Sequence, residues 1–81
     1  MKQRYSDEQI INAIDRWVVG KNAERNRIIL KLRFVDGYTY DQIDDWLNRN
    51  NELPERYKIQ TRQIARVVSE WSIVIFDKLA T

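Results

Sequence analysis

The side chains with the most chemistry to offer cluster near the start of the last apolar stretch: Gln60, Thr61, Arg62, Gln63 and Arg66. Ile64, Val67 and Val68 recur between them at helical spacing, so Thr61, Arg62, Gln63 and Arg66 fall on the opposite side of one helix. Arg donates bidentately to guanine, and Gln pairs in the same way with adenine. A helix that enters a major groove N-terminus first brings its early polar side chains to base edges. A solvated helix face has the same composition, so the residue types alone leave two readings open. A second set of cations, Arg27, Lys31, Arg33, Arg56 and Lys58, has the chemistry to grip phosphate, which gives affinity and register and not sequence preference. For these five the competing reading is ordinary surface charge.

Other chemistry is excluded by what the chain lacks. It has no Cys and no His, which removes thiolate nucleophiles, disulfides, imidazole bases and the usual zinc ligands together. No stretch has calcium-loop spacing, and Asp41, Asp44 and Asp45 read as a solvated helix face or as a contact for a basic protein partner. No paired carboxylates sit in a catalytic arrangement, so an enzyme is the least favoured class, and neither cofactor nor metal is expected. The longest apolar run, Ile73 to Phe76, is far too short to span a membrane, and the start of the chain has no signal-peptide segment. These features point to a cytoplasmic protein.

The elements that must position these residues are helices. Eighty-one residues suffice for one domain, expected over 1–81, and 43% hydrophobic content is too apolar for disorder. Two Gly and one Pro are too few for the turns of a sandwich or barrel, which leaves an all-α, four-helix domain. Ser6 with Gln9 forms a capping-box pattern ahead of the Ile10, Ile11, Ile14, Trp17, Val18 stripe, and Gly20 is expected to end that helix. A second helix is predicted over residues 23–35, with Asp36-Gly37 as stop and turn. Thr39 with Gln42 is a second capping box, opening a helix that places Tyr40, Ile43, Trp46 and Leu47 on one face. The polar run Asn48 to Lys58, with three Asn within four residues and Pro54, predicts a mobile or irregular connection. The last helix is expected from Gln60 or Thr61 to Leu79.

Net charge is +2, and it is unevenly spread. Residues 1–37 hold eight Lys/Arg against five Asp/Glu, residues 38–55 one against five, and residues 56–81 five against two. A basic, acidic, basic order is a weak argument for nucleic acid, so the case rests on residue pattern. Leu32-Arg33-Phe34, Asp36-Gly37 and Thr39-Tyr40-Asp41-Gln42-Ile43 resemble the start of the helix-turn-helix of sigma-factor region four, as found in small phage and bacterial transcription regulators. Downstream, Ile59 to Val68 resembles that family's recognition helix, with Gln60 in the cap slot and Ile64 and Val67 in the apolar slots. The likeness covers residues 28–71 and implies a helix-turn-helix over about 39–79 that binds double-stranded DNA. Two features depart from it. The family usually carries Ala where this chain has Asp44, and a short turn where this chain has Asn48 to Lys58.

Two further functions compete with site-specific DNA binding. One is an adaptor that binds RNA polymerase or another regulator, and the other is a DNA-recognition subunit of a phage packaging machine. The consecutive Ile73, Val74, Ile75 and Phe76 point in four directions around a helix. The thin core of a small bundle is expected to leave part of this girdle bare, which predicts a homodimer through Trp71, Val74, Ile75, Phe76 and Leu79. Cover from the first helix of the same chain, through Ile10, Ile14 and Trp17, is the alternative.

Overall fold

A computed structural model describes residues 4–81, so the first three residues of the expected 1–81 domain lie outside the description. The chain folds as four α-helices: α1 (Asp7–Trp17), α2 (Ala23–Phe34), α3 (Tyr40–Arg49) and α4 (Thr61–Ala80). A single 3₁₀ turn, Glu55–Tyr57, interrupts the last connection, and no strand occurs among the described residues. The longest helix, α4, packs against each of the other three, so it is the axis of the bundle. The core gathers Ile10 and Ile14 from α1, Ile29 and Leu30 from α2, Ile43 and Leu47 from α3, and Ile64 and Ile75 from α4, all fully buried.

Local chemistry explains the ends of the elements. Ser6 Oγ accepts from the Gln9 N–H at 3.2 Å, while the Ser6 N–H donates to Gln9 Oε1 at 2.9 Å. Thr39 and Gln42 repeat the exchange at 3.2 and 2.8 Å. Each box satisfies two amide donors that a helix start leaves unpaired. α1 stops at Trp17, three residues before the expected Gly20, because Val18 turns extended and its carbonyl accepts from Arg27 Nε at 2.9 Å. Gly20 instead turns the chain between α1 and α2 with a φ of 105°. After α2, Gly37 adopts a φ of 74° and lets the Tyr38 N–H reach the Leu32 carbonyl at 2.9 Å. No helix among the described residues is long and apolar enough to cross a membrane.

The connection between α3 and α4 begins later than expected. α3 continues through Asn48 and Arg49, because Asn48 Nδ2 donates to the Asp44 carbonyl at 2.8 Å and to Asp44 Oδ1 at 2.9 Å. Residues 50–60 are irregular, as predicted, yet they are anchored. Tyr57 and Ile59 are buried, and Tyr57 donates its phenol proton to Glu24 Oε2 at 2.6 Å.

The apolar end of α4 is covered largely within the chain. Ile75 is 0% exposed and belongs to the core, so it is not free to form a dimer interface. The Phe76 ring stands edge-on to Phe34 at 5.2 Å and near Tyr5 at 6.3 Å. Trp71 and Leu79 lie half-buried against the same core, and Val74 is half-buried. Three helices enclose α4 instead of one or two faces of a thin bundle, and that is why the expected bare girdle is reduced. Ile73, 73% exposed, is the member of the girdle left in solvent.

Candidate nucleic-acid interface

The first turn of α4 is set by its contacts with α3. Thr61 donates its hydroxyl to Asp44 Oδ2 at 2.7 Å and lies 3.4 Å from Asp41 Oδ1. Asn48 Nδ2 reaches across to the Ile59 carbonyl at 3.2 Å. Asp44 therefore braces the crossing of α3 and α4 through a hydrogen bond. Beneath this edge Ile64, Val67 and Val68 bury the opposite side of α4. Asp44, Asn48, Gln60, Thr61, Arg62 and Gln63 line an open groove of about 840 Å³ where the two helices meet.

The five residues expected to face bases divide into two kinds. Arg62, Gln63 and Arg66 are exposed on one side of α4. Arg62 and Arg66 stand one turn apart, and neither has a carboxylate within ion-pair distance among the described residues. Like charges at this spacing destabilise a helix by a few tenths of a kcal/mol (~0.2–0.5), so an anion between them would offset a standing cost. Gln63 Oε1 accepts from the Gln60 N–H at 3.2 Å, which leaves its amide N–H groups to donate elsewhere. Reading adenine with both amide atoms would require Gln63 to release that cap. Thr61 is half-buried and its hydroxyl is engaged by Asp44, so it braces α4. Gln60 is exposed at the helix cap.

The five expected phosphate grips do not form one surface. Arg33 donates to the Tyr38 carbonyl at 3.0 Å and lies over the Tyr40 ring at 4.8 Å, at the start of α3 and next in sequence to Asp41. Lys31 is paired with Asp15 of α1 at 2.7 Å, and Lys58, whose side chain is largely covered, with Glu55 at 3.4 Å. These two are engaged within the fold. Arg27 and Arg56 belong to a separate recess beside the α1–α2 turn, together with Lys21 and Arg25. Sequence reasoning passed over Lys21 and Arg25. Their close spacing with Arg27 was the available signal, and Arg56, some thirty residues on, joins them through the fold alone. Partial burial pulls the Arg25 guanidinium below its ordinary value. The hydrogen bond to Glu24, with help from burial, holds the Tyr57 phenol above its usual 10.0. The expected acidic face of α3 serves as scaffold in part: Asp44 and Asp41 meet Thr61, while Asp45 pairs with Arg49 at 2.7 Å. No group of three or more metal-ligating side chains occurs among the described residues. Trp17 rims the bundle at 36% exposure, with Lys78 Nζ 4.4 Å above its ring.

Comparison with known proteins adds nothing to this geometry: no family model, curated protein or solved structure matches the chain.

Proposed function

We propose that the chain is a site-specific double-stranded DNA-binding protein that regulates transcription, with α3 and α4 as the two helices of a helix-turn-helix and α4 as the reading helix. One observation carries the reading: the exposed ridge of Arg62, Gln63 and Arg66 on the early turns of α4, with the helix start held against α3 by the Thr61–Asp44 hydrogen bond. A reader of base edges needs donors at the leading end of a helix and a scaffold that fixes their direction. In this reading Arg62 and Arg66 donate to guanine, and Gln63 offers its amide N–H groups to a base acceptor. Arg33, held at the corner between α2 and α3, contacts a flanking phosphate. The resemblance to sigma-factor region four supports the assignment, and the long connection is a substitute for the family's short turn. That connection is tied to α2 by Tyr57 and to the core by Ile59.

The test is selection from random duplexes at several salt concentrations. The reading expects a recovered consensus together with affinity that falls linearly in log–log salt. Binding that is equal for every duplex, or absent at low salt, contradicts it.

A further inference from the structure

A second feature lies apart from the α3–α4 groove and shares no residue with it. The turn between α1 and α2, the first turns of α2 and the 3₁₀ turn enclose a polar recess of about 300 Å³. Four cations line it: Lys21, Arg25, Arg27 and Arg56. None of the four has a carboxylate within ion-pair distance among the described residues. The one acidic side chain in the lining, Glu24, spends an oxygen on the Tyr57 phenol at 2.6 Å. Four positive charges against one negative leave the recess at +3.

Two of the guanidinium groups are held in place before any ligand arrives. Arg25 donates through Nε and a terminal nitrogen to Asn26 Oδ1 at 3.0 and 2.9 Å, and Asn26 itself is buried. Arg27 donates through Nε to the Val18 carbonyl at 2.9 Å. Such tethers use part of each planar fork and leave other N–H donors available, with less side-chain freedom to lose on binding. Arg56 lies over the Tyr57 ring at 5.2 Å, which steadies the opposite wall. Concentrated, partly ordered cations in a concave site, outnumbering its one carboxylate four to one, match the chemistry of a phosphate group.

We infer that the recess between the α1–α2 turn and the 3₁₀ turn is a phosphate-binding site, in which Lys21, Arg25, Arg27 and Arg56 hold one phosphate or pyrophosphate group. The inference does not rest on the DNA reading of α4. A duplex backbone and a free phosphorylated molecule both supply this chemistry, and the two are separable by experiment.

Pyrophosphate is titrated into the full chain at constant ionic strength, and backbone and arginine Nε–H resonances are followed by NMR. Saturable shifts are expected at Lys21, Glu24, Arg25, Arg27 and Arg56, with Arg62 and Arg66 unmoved. Lys21→Gln and Arg56→Gln change exposed side chains and are expected to keep the fold, as unchanged core resonances would verify. Each should weaken binding by about ten-fold, the loss of one charge-assisted hydrogen bond. Shifts that fail to saturate, that appear equally at Arg62 and Arg66, or that survive Arg56→Gln at full affinity overturn the site. A parallel arm measures duplex binding against salt. A slope reduced by about one in Arg56→Gln identifies a backbone phosphate as the natural ligand. An unchanged slope, with pyrophosphate binding lost, identifies a free phosphorylated molecule.

Discussion

The two ends of α4 share apolar burial and differ in what their other side chains do. Its first turns bury Ile64, Val67 and Val68 and hold Arg62, Gln63 and Arg66 out in solvent, while its last turns sink Ile75 into the core and set Phe76 against Phe34 and Tyr5. The C-terminal half fixes the helix by apolar burial, which is strong and without direction. The N-terminal half is fixed by the same kind of burial, through Ile64, Val67 and Val68, and adds directed hydrogen bonds, chief among them Thr61 to Asp44. In the proposed reading, such a helix keeps stability on its buried side and recognition on the exposed side of its first turns. The exposed polar residues Arg62, Gln63 and Arg66 can change with little effect on folding, because the anchor lies on the buried side of the helix.

Substitutions at the two ends should therefore differ in kind as well as in size. Ile75→Ala is expected to cost about 2–5 kcal/mol of unfolding free energy by denaturant titration, since it opens a cavity in a fully covered site. The folded fraction should keep wild-type duplex affinity. A loss under about 0.5 kcal/mol would show that the end of α4 does not help to anchor the helix. Thr61→Val preserves shape and removes the hydroxyl, leaving Asp44 without its partner, and should cost about 1 kcal/mol. If Thr61→Val changed base preference at unchanged stability, Thr61 would be a reader and not a brace.

Alkaline pH tests the tie that leads into α4. The Tyr57 phenol is held above 10.0 in the folded chain, chiefly by its hydrogen bond to Glu24. A raised folded value means that the protonated phenol is favoured by folding. Its contribution is complete below pH 10 and is lost as pH rises through the folded value. Stability measured across this range should fall more steeply in the wild type than in Tyr57→Phe. Parallel curves would dissociate Tyr57 from the fold's stability. The smallest expected effect on stability belongs to Arg62→Ala or Arg66→Ala, within about 0.5 kcal/mol and toward greater stability, because each relieves a like-charge pair.

What could be read in the sequence was what depends on near neighbours. The boxes at Ser6 and Thr39 span four residues each, and both formed. The four helices followed from apolar period and the scarcity of Gly and Pro. Contacts between distant residues were not legible. Thr61 meets Asp44 seventeen residues away, and Tyr57 meets Glu24 thirty-three away, so a polar side chain on an early turn looked the same whether it faced solvent or a carboxylate. The same blindness split the phosphate set. Nothing local distinguishes Lys31, paired across helices with Asp15, from Arg56, which joins Lys21 and Arg25 in a recess. The burial of Ile75 was not legible either, because it depends on how many helices surround α4, a property of the packing and not of the run Ile73 to Phe76.

The central proposal is that the exposed ridge of α4 reads bases while Arg33 holds the backbone. The most direct test repeats the duplex selection with Arg62→Ala, Arg66→Ala and Arg33→Ala beside the wild type. Arg62→Ala and Arg66→Ala should each relax preference at one position of the consensus, with a loss of about 1–3 kcal/mol against the preferred base. Arg33→Ala should weaken all sequences alike and reduce the salt slope by about one. Equal losses for every sequence in all three variants, or an unchanged consensus in Arg62→Ala and Arg66→Ala, would contradict the assignment of α4 as the reading helix.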